Sequence, residues 1–258
     1  MASKKIEFTA KNARAFTTWL KRFASIDNTL LLEIDEKNLL FKAKTYNGEH
    51  SCIKFSSINF DEAGFEIKPN KEPKEIRVGL FNVSRLIKVI EQFSAEFTFT
   101  VTYDDVTDKT GTNLAGINIV IKSNELKITV DCASHNIFKY MSDEKFTTVI
   151  ASVDKKVAKF TLTKENIEKI NSICNLDNDY KFMQFVSKDE KIYVSGKAFE
   201  LKINDNGSKD DSKINIFKDQ FSKVDLENYQ VIMGTDRIVY TSEDSETVTV
   251  TSMVDDTE

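Results

Sequence analysis

The chain has 258 residues, 40% hydrophobic and 30% charged, with a formal net charge of −5. Its 19 Phe beside only 8 Gly and 2 Pro argue against disorder and favour strand-rich packing in one or two cored domains. No run has the apolar length of a membrane span and no signal peptide opens the chain, while the three scattered cysteines, Cys52, Cys132 and Cys174, read as reduced thiols of a cytoplasmic protein.

An acidic total argues against a nucleic-acid partner only if the charge is evenly spread, and it is not. Through Ile26 there are six Lys/Arg against one Glu, whereas Asp225 to Glu258 holds nine acids against Arg237 alone. One surface is expected to be cationic and another acidic.

After the short strand Ile6–Thr9, the spacing predicts a helix over 11–26. At about 100° per residue, Lys11, Arg14, Lys21 and Arg22 fall on one arc, and Phe16, Trp19, Leu20 and Phe23 on the opposite one. That strip contains no acid. Short strands follow at Leu30–Asp35, Leu39–Lys44 and Ser51–Phe55, joined by polar turns in a meander. The Pro69–Pro73 segment reads as a loop. Strand Ile76–Leu80 then enters a second helix over 82–93, with Leu86, Ile87, Val89, Ile90 and Phe93 apolar, Arg85, Lys88 and Gln92 polar, and Glu91 at the margin of the polar face. Strands at Phe97–Tyr103, Ile117–Lys122 and Leu126–Cys132 complete the first half, with Asp104–Thr112 as a polar loop between the first two.

No period holds from 138 to 153, which reads as a linker. The second half then repeats the first: a strand at Lys159–Thr163, a helix over 164–176, and strands at Met183–Val186, Ile192–Val194 and Phe199–Ile203. A loop at Asp205–Asp211 precedes strand Ile214–Ile216 and a short amphipathic helix over 217–224. Strands at Tyr229–Gly234, Arg237–Thr241 and Thr247–Met253 close it. The pattern is an internal duplication of strand, helix, meander, strand, helix, meander.

No catalytic constellation emerges, and the chain reads as a non-enzyme without cofactor or metal. It lacks a glycine-rich phosphate loop closed by Lys and Ser/Thr, so nucleotide hydrolysis is not expected. Its two histidines, His50 and His135, stand at no ligand spacing from a cysteine. Asp104, Asp105 and Asp108 read as solvated loop acids, and Asp205–Asp211 lacks the spacing of a calcium loop. Ser134-His135 has no third partner for a nucleophilic triad.

Four stretches in this order carry a family resemblance: Phe8–Glu49 (FTAKNARAFTTWLKRFASIDNTLLLEIDEKNLLFKAKTYNGE), Ile76–Ile90 (IRVGLFNVSRLIKVI), Ala133–Glu144 (ASHNIFKYMSDE) and Phe160–Asn178 (FTLTKENIEKINSICNLDN). Over nearly its whole length the chain resembles the DNA polymerase sliding clamps. The nearest type is the two-domain clamp of tailed bacteriophages, related in architecture to proliferating cell nuclear antigen. The resemblance implies an α+β fold of two duplicated helix-plus-antiparallel-sheet domains, at 1–142 and 154–258, with 143–153 as interdomain connector. It implies a homotrimeric ring in the host cytoplasm that encircles double-stranded DNA without reading sequence. Such a ring is a processivity factor for DNA replication: it tethers DNA polymerase and is opened by an ATP-dependent clamp loader.

Carried over by position, the hole-lining residues are Lys11, Arg14, Lys21 and Arg22 on the first helix and Arg85 and Lys88 on the second. Lys164 and Lys169 follow on the third and Lys218 and Lys223 on the fourth, although Glu165 and Glu168 interrupt the third strip and the fourth helix is short. Clamps also bind clients through an apolar patch near the connector. Phe138, Tyr140, Met141 and Met253 lie in suitable segments, yet each reads equally as core, which is the favoured reading. Two rivals remain: a β-rich structural oligomer of a phage particle with no DNA contact, and a monomeric nucleic-acid-binding module of another fold. The segregated cations argue against the first. The scarcity of aromatic residues among them argues against single-strand binding by stacking.

Overall fold

The structure, a computed structural model, describes residues 4–48, 52–68, 72–108, 111–134, 137–138, 148–149, 153, 156–176, 180–244 and 246–254. It divides into two compact units, Met1–Thr45 with Phe55–Ser142, and Tyr46–Lys54 with Asp143–Glu258.

The first half runs β1 (Lys4–Ala10), α1 (Arg14–Ala24), β2 (Leu30–Asp35), β3 (Leu40–Asn47), β4 (Cys52–Asn59), β5 (Phe65–Ile67) and β6 (Glu75–Leu80). It continues through α2 (Val83–Ile90), β7 (Phe97–Asp108), β8 (Gly111–Lys122) and β9 (Lys127–Asp131). Two antiparallel ladders result, β1–β7–β8–β9 and β4–β3–β2–β6. A short parallel contact of β6 with β8, Ile76 opposite Leu114, joins them, and β5 flanks β1.

The side-chain period of two decides what each strand buries. On β2, Leu30, Leu32 and Ile34 enter the core, with Leu32 opposite Val78 and Ala43. Phenylalanine supplies much of that core: Phe8, Phe16, Phe41, Phe60, Phe65 and Phe99 meet in tilted and edge-to-face pairs, from 4.6 Å for Phe41–Phe60 to 6.3 Å for Phe8–Phe99. The opposite face of β2 is also covered. Glu33 and Lys44 are both buried there and pair at 3.3 Å.

The second half runs β10 (Ala158–Leu162), α3 (Lys164–Cys174), β11 (Phe182–Lys188), β12 (Lys191–Ser195), β13 (Glu200–Asn204) and β14 (Ser212–Phe217). It ends with α4 (Lys218–Phe221), β15 (Tyr229–Met233), β16 (Arg237–Ser242) and β17 (Thr247–Ser252). Its ladders are β10–β15–β16–β17 and β13–β12–β11–β14. Apart from β5, which has no counterpart, the order matches that of the first half, so the duplicated α+β architecture expected from sequence is present.

Some expectations change. The described residues of Asp104–Thr112 are not a loop: β7 and β8 pair through Asp104–Ala115, Val106–Asn113 and Thr107–Thr112, beyond a bulge at Thr102/Tyr103. This hairpin arm is largely solvent-exposed, so its strands need no apolar alternation to mark them. α1 and α2 are shorter than their periodicity: Asn12 and Asn82 take the turn and cap positions before them, and the helices end at Ala24 and Ile90. Of the apolar connector candidates, Phe138 is buried and Met253 is 44% exposed, which corrects the core reading for Met253. Tyr140, Met141, His50, His135 and most of 138–153 lie outside the described residues.

Phe138 is buried partly because residue 79 is glycine. A Cβ there would stand 2.5 Å from the Phe138 ring and 2.8 Å from the Ala133 carbonyl oxygen. The bare backbone lets the chain after β9 lie against β6, where the Ala133 N–H donates to the Gly79 carbonyl at 2.8 Å. No described helix is long and apolar enough to cross a membrane.

Candidate nucleic-acid interface

α1 buries Phe16, Thr17, Trp19, Leu20 and Phe23, and α2 buries Val83, Leu86, Ile87 and Ile90. These stripes turn the remaining faces outward. Asn28, just past α1, ties that end to the start of α2: its carbonyl accepts from the Val83 N–H at 3.0 Å and its Oδ1 from the Ser84 N–H at 2.9 Å. At the other end, residues between Lys11 and Lys21 line an open cleft of ≈ 580 Å³ together with residues between Ile90 and Phe97. The two helices therefore run side by side in opposite directions.

The predicted cations of this unit come together on the outward faces. Arg14, Lys21, Arg85 and Lys88 are exposed, and Arg22 is half-buried at the end of α1. Lys11 lies in the turn before α1, positioned by its N–H to the Gly64 carbonyl at 3.1 Å. Gly64 has φ +83°, and a Cβ on it would stand 1.9 Å from the Asn12 carbonyl oxygen, so only glycine fits beneath this turn.

Two of these cations have acidic partners that the helix sequence does not show. The Lys11 ammonium meets Glu66 of β5 at 2.6 Å, and Lys21 meets Glu91, just beyond α2, at 2.7 Å. The hydrogen bond from Lys11 to Glu66, with that carboxylate's charge, raises the Lys11 pKa. Among the described residues, Arg14, Arg85 and Lys88 form no ion pair.

The second unit repeats the helix arrangement with different charge. Thr163 and Asn166 cap α3 reciprocally, and the Lys164 N–H donates to Asn228 Oδ1 at 3.0 Å. The Lys164 ammonium lies 4.0 Å from Glu168, and Lys169 shares the exposed face with Glu165 and Glu168. Lys218 is half-buried, and its ammonium donates to the Cys174 carbonyl at the end of α3, at 3.4 Å. Lys223 pairs with Asp219 at 3.2 Å. The structure thus gathers six candidates on and beside one helix pair, with Lys11 and Lys21 paired to acids, and engages three of the four on the other.

Among the described residues, no group of three or more His, Cys, Asp or Glu could hold a metal ion. Burial pushes the Cys52 and Cys132 thiols up to about 12, so neither is a nucleophile at neutral pH.

No protein-family model and no curated protein matches the chain. Solved structures do. The Helicobacter pylori β clamp bound to a DNA ligase peptide is 10% identical, with TM-score 0.64 over 98% of this chain and 66% of that one. The β subunit of Streptococcus pyogenes DNA polymerase is 11% identical, with TM-score 0.63 over 98% and 66%. Archaeoglobus fulgidus PCNA (proliferating cell nuclear antigen), bound to the C-terminal region of FEN-1, is 12% identical, with TM-score 0.59 over 98% and 99%. The chain thus spans about two thirds of the bacterial β clamps and nearly all of the archaeal protein. Its fold is that of the sliding clamps.

Proposed function

We propose that this chain is a sliding clamp that encircles duplex DNA and tethers a replicative DNA polymerase, with no catalysis of its own. The observation that carries the reading is the outward face of the α1–α2 pair, where Arg14, Arg85 and Lys88 form no ion pair among the described residues, in a fold shared with clamps. Cations on helix faces that insert no side chain into a groove neutralise phosphates without reading bases, which permits sliding. Six copies of the repeated unit close a ring from three chains, and pairing between sheet edges of neighbouring copies would remove exposed edges.

In this reading phosphate contact is concentrated on the first unit, where Arg14, Arg85 and Lys88 form no ion pair among the described residues, while Lys164, Lys218 and Lys223 of the second are engaged within it. Polymerase and other clients dock on the ring, a reading supported by relatives bound to a DNA ligase peptide and to the C-terminal region of FEN-1. An ATP-dependent loader opens the ring, and the assembly works in the cytoplasm of the cell or of a phage's host.

The test has two parts. Light scattering on the purified chain should give the mass of a trimer. With a loader and ATP, the chain should raise polymerase processivity on a circular template and lose that effect on a linear one with free ends. Equal stimulation on both would indicate ordinary affinity. A trimer that gave none, and bound no DNA, would favour a structural oligomer of a phage particle.

A further inference from the structure

Read along the sequence, α1 and the turn before it present cations alone. In the fold, two acids from other elements reach them: Glu66 from β5 to Lys11 at 2.6 Å, and Glu91 from the end of α2 to Lys21 at 2.7 Å. Arg14, between these lysines, has no ion pair among the described residues. The face therefore alternates compensated and uncompensated charge, and Glu91 lines the same cleft as Arg14 and Lys21.

Both pairs are open to water, with side-chain exposures of 57% and 42% for Lys21 and Glu91, and 60% and 57% for Lys11 and Glu66. Exposed pairs of this kind contribute little to folding and open readily. Their consequence falls on a third charge. A phosphate that reaches Lys21 must displace Glu91, which stays within one side chain's length of it. That is far inside the roughly 8 Å screening length of physiological salt. The carboxylate therefore subtracts from the attraction that Lys21 offers.

We propose that Glu91 sets how firmly the face grips DNA, acting as an internal competitor for the Lys21 ammonium, and that Glu66 does the same for Lys11. The inference rests on the clamp reading. A ring that must retain a duplex and still move along it needs shallow wells from one phosphate position to the next. Cations that are shared with carboxylates supply them.

The experiment uses the full chain and a fluorescent linear duplex of mixed sequence, with anisotropy measured across a sodium chloride series. Melting temperature and solution mass are recorded first for each variant. Glu91→Gln should tighten binding about three- to tenfold at low salt and steepen the salt dependence toward one further released ion. In a Lys21→Gln background the same change should give no gain. Absence of tightening in Glu91→Gln would overturn the proposal. An equal gain with Lys21 removed would also overturn it, since the effect would then be general repulsion. Arg14→Glu and Arg85→Glu separate the two readings. If they weaken binding while Glu91→Gln leaves it unchanged, only the competitor role fails. If they too leave it unchanged, the surface does not meet DNA and the clamp reading fails with it.

Discussion

The Trp19 indole N–H donates to the Ser56 hydroxyl at 3.1 Å in a buried setting, fastening α1 to β4. The ring also stacks on Phe16 at 5.7 Å and meets Phe23 edge-on at 5.2 Å. Trp19→Ala should cost about 3–5 kcal/mol, because the remaining aromatic rings cannot collapse into the space. Trp19→Phe keeps the apolar body and should cost about 1 kcal/mol for the missing hydrogen bond. Urea unfolding at neutral pH checks both.

Reversal of Arg14, Arg85 and Lys88 to Glu addresses the opposite side of the same helices. Their side chains are outside the core, so melting temperature and assembly mass should match the wild type. Duplex affinity should fall at low salt, and the salt slope should decrease by about one for each phosphate that is no longer neutralised. The same reversal at Lys218 should instead lower thermal stability, since its ammonium donates to the α3 terminus at Cys174.

Gly64→Ala is a stability test aimed at the turn before α1. A left-handed φ of +83° and an approach of 1.9 Å to the Asn12 carbonyl oxygen leave no room for a methyl group. The backbone term alone should cost about 1–2 kcal/mol. Displacement of the Lys11–Asn12 turn should also lower duplex affinity more than the melting shift predicts. Calorimetry and anisotropy on the same sample separate the two effects.

Acid should act through Asp35. Burial alone would raise its pKa, but hydrogen bonds from the Lys42 ammonium at 2.6 Å, Asn38 Nδ2 at 2.8 Å and the Asn38 N–H at 3.1 Å hold it below the ordinary 3.8. A depressed folded pKa contributes stability above the unfolded value and loses it as pH falls through the folded one. The wild type should therefore lose stability progressively below about pH 4, and Asp35→Asn should flatten that part of the profile. At pH 7 the variant should be less stable by about 1–3 kcal/mol, because a buried charged acceptor is gone. Denaturant midpoints from pH 2 to 7 would show whether the slope belongs to this residue.

Local periodicity determined much of this protein by itself. Apolar residues at helical and strand spacing placed the two long helices and most strands, and the order of those elements disclosed the duplication. Short-range chemistry explains that success, since a strand or amphipathic helix needs only its own alternation to be recognised. The polar hairpin arm at Asp104–Thr112 escaped because a ladder exposed to water on both faces carries no such mark. Charge was legible only along the chain. That α1 carries a cationic strip could be read residue by residue, yet Glu66 lies 55 positions from Lys11 and Glu91 lies 70 from Lys21. Only tertiary packing decided which cations stand uncompensated, because an ion pair depends on separation in space and strand pairing sets that separation. Packing likewise buried Glu33 against Lys44 and turned Lys218 into a brace for α3, where the sequence showed ordinary charged residues.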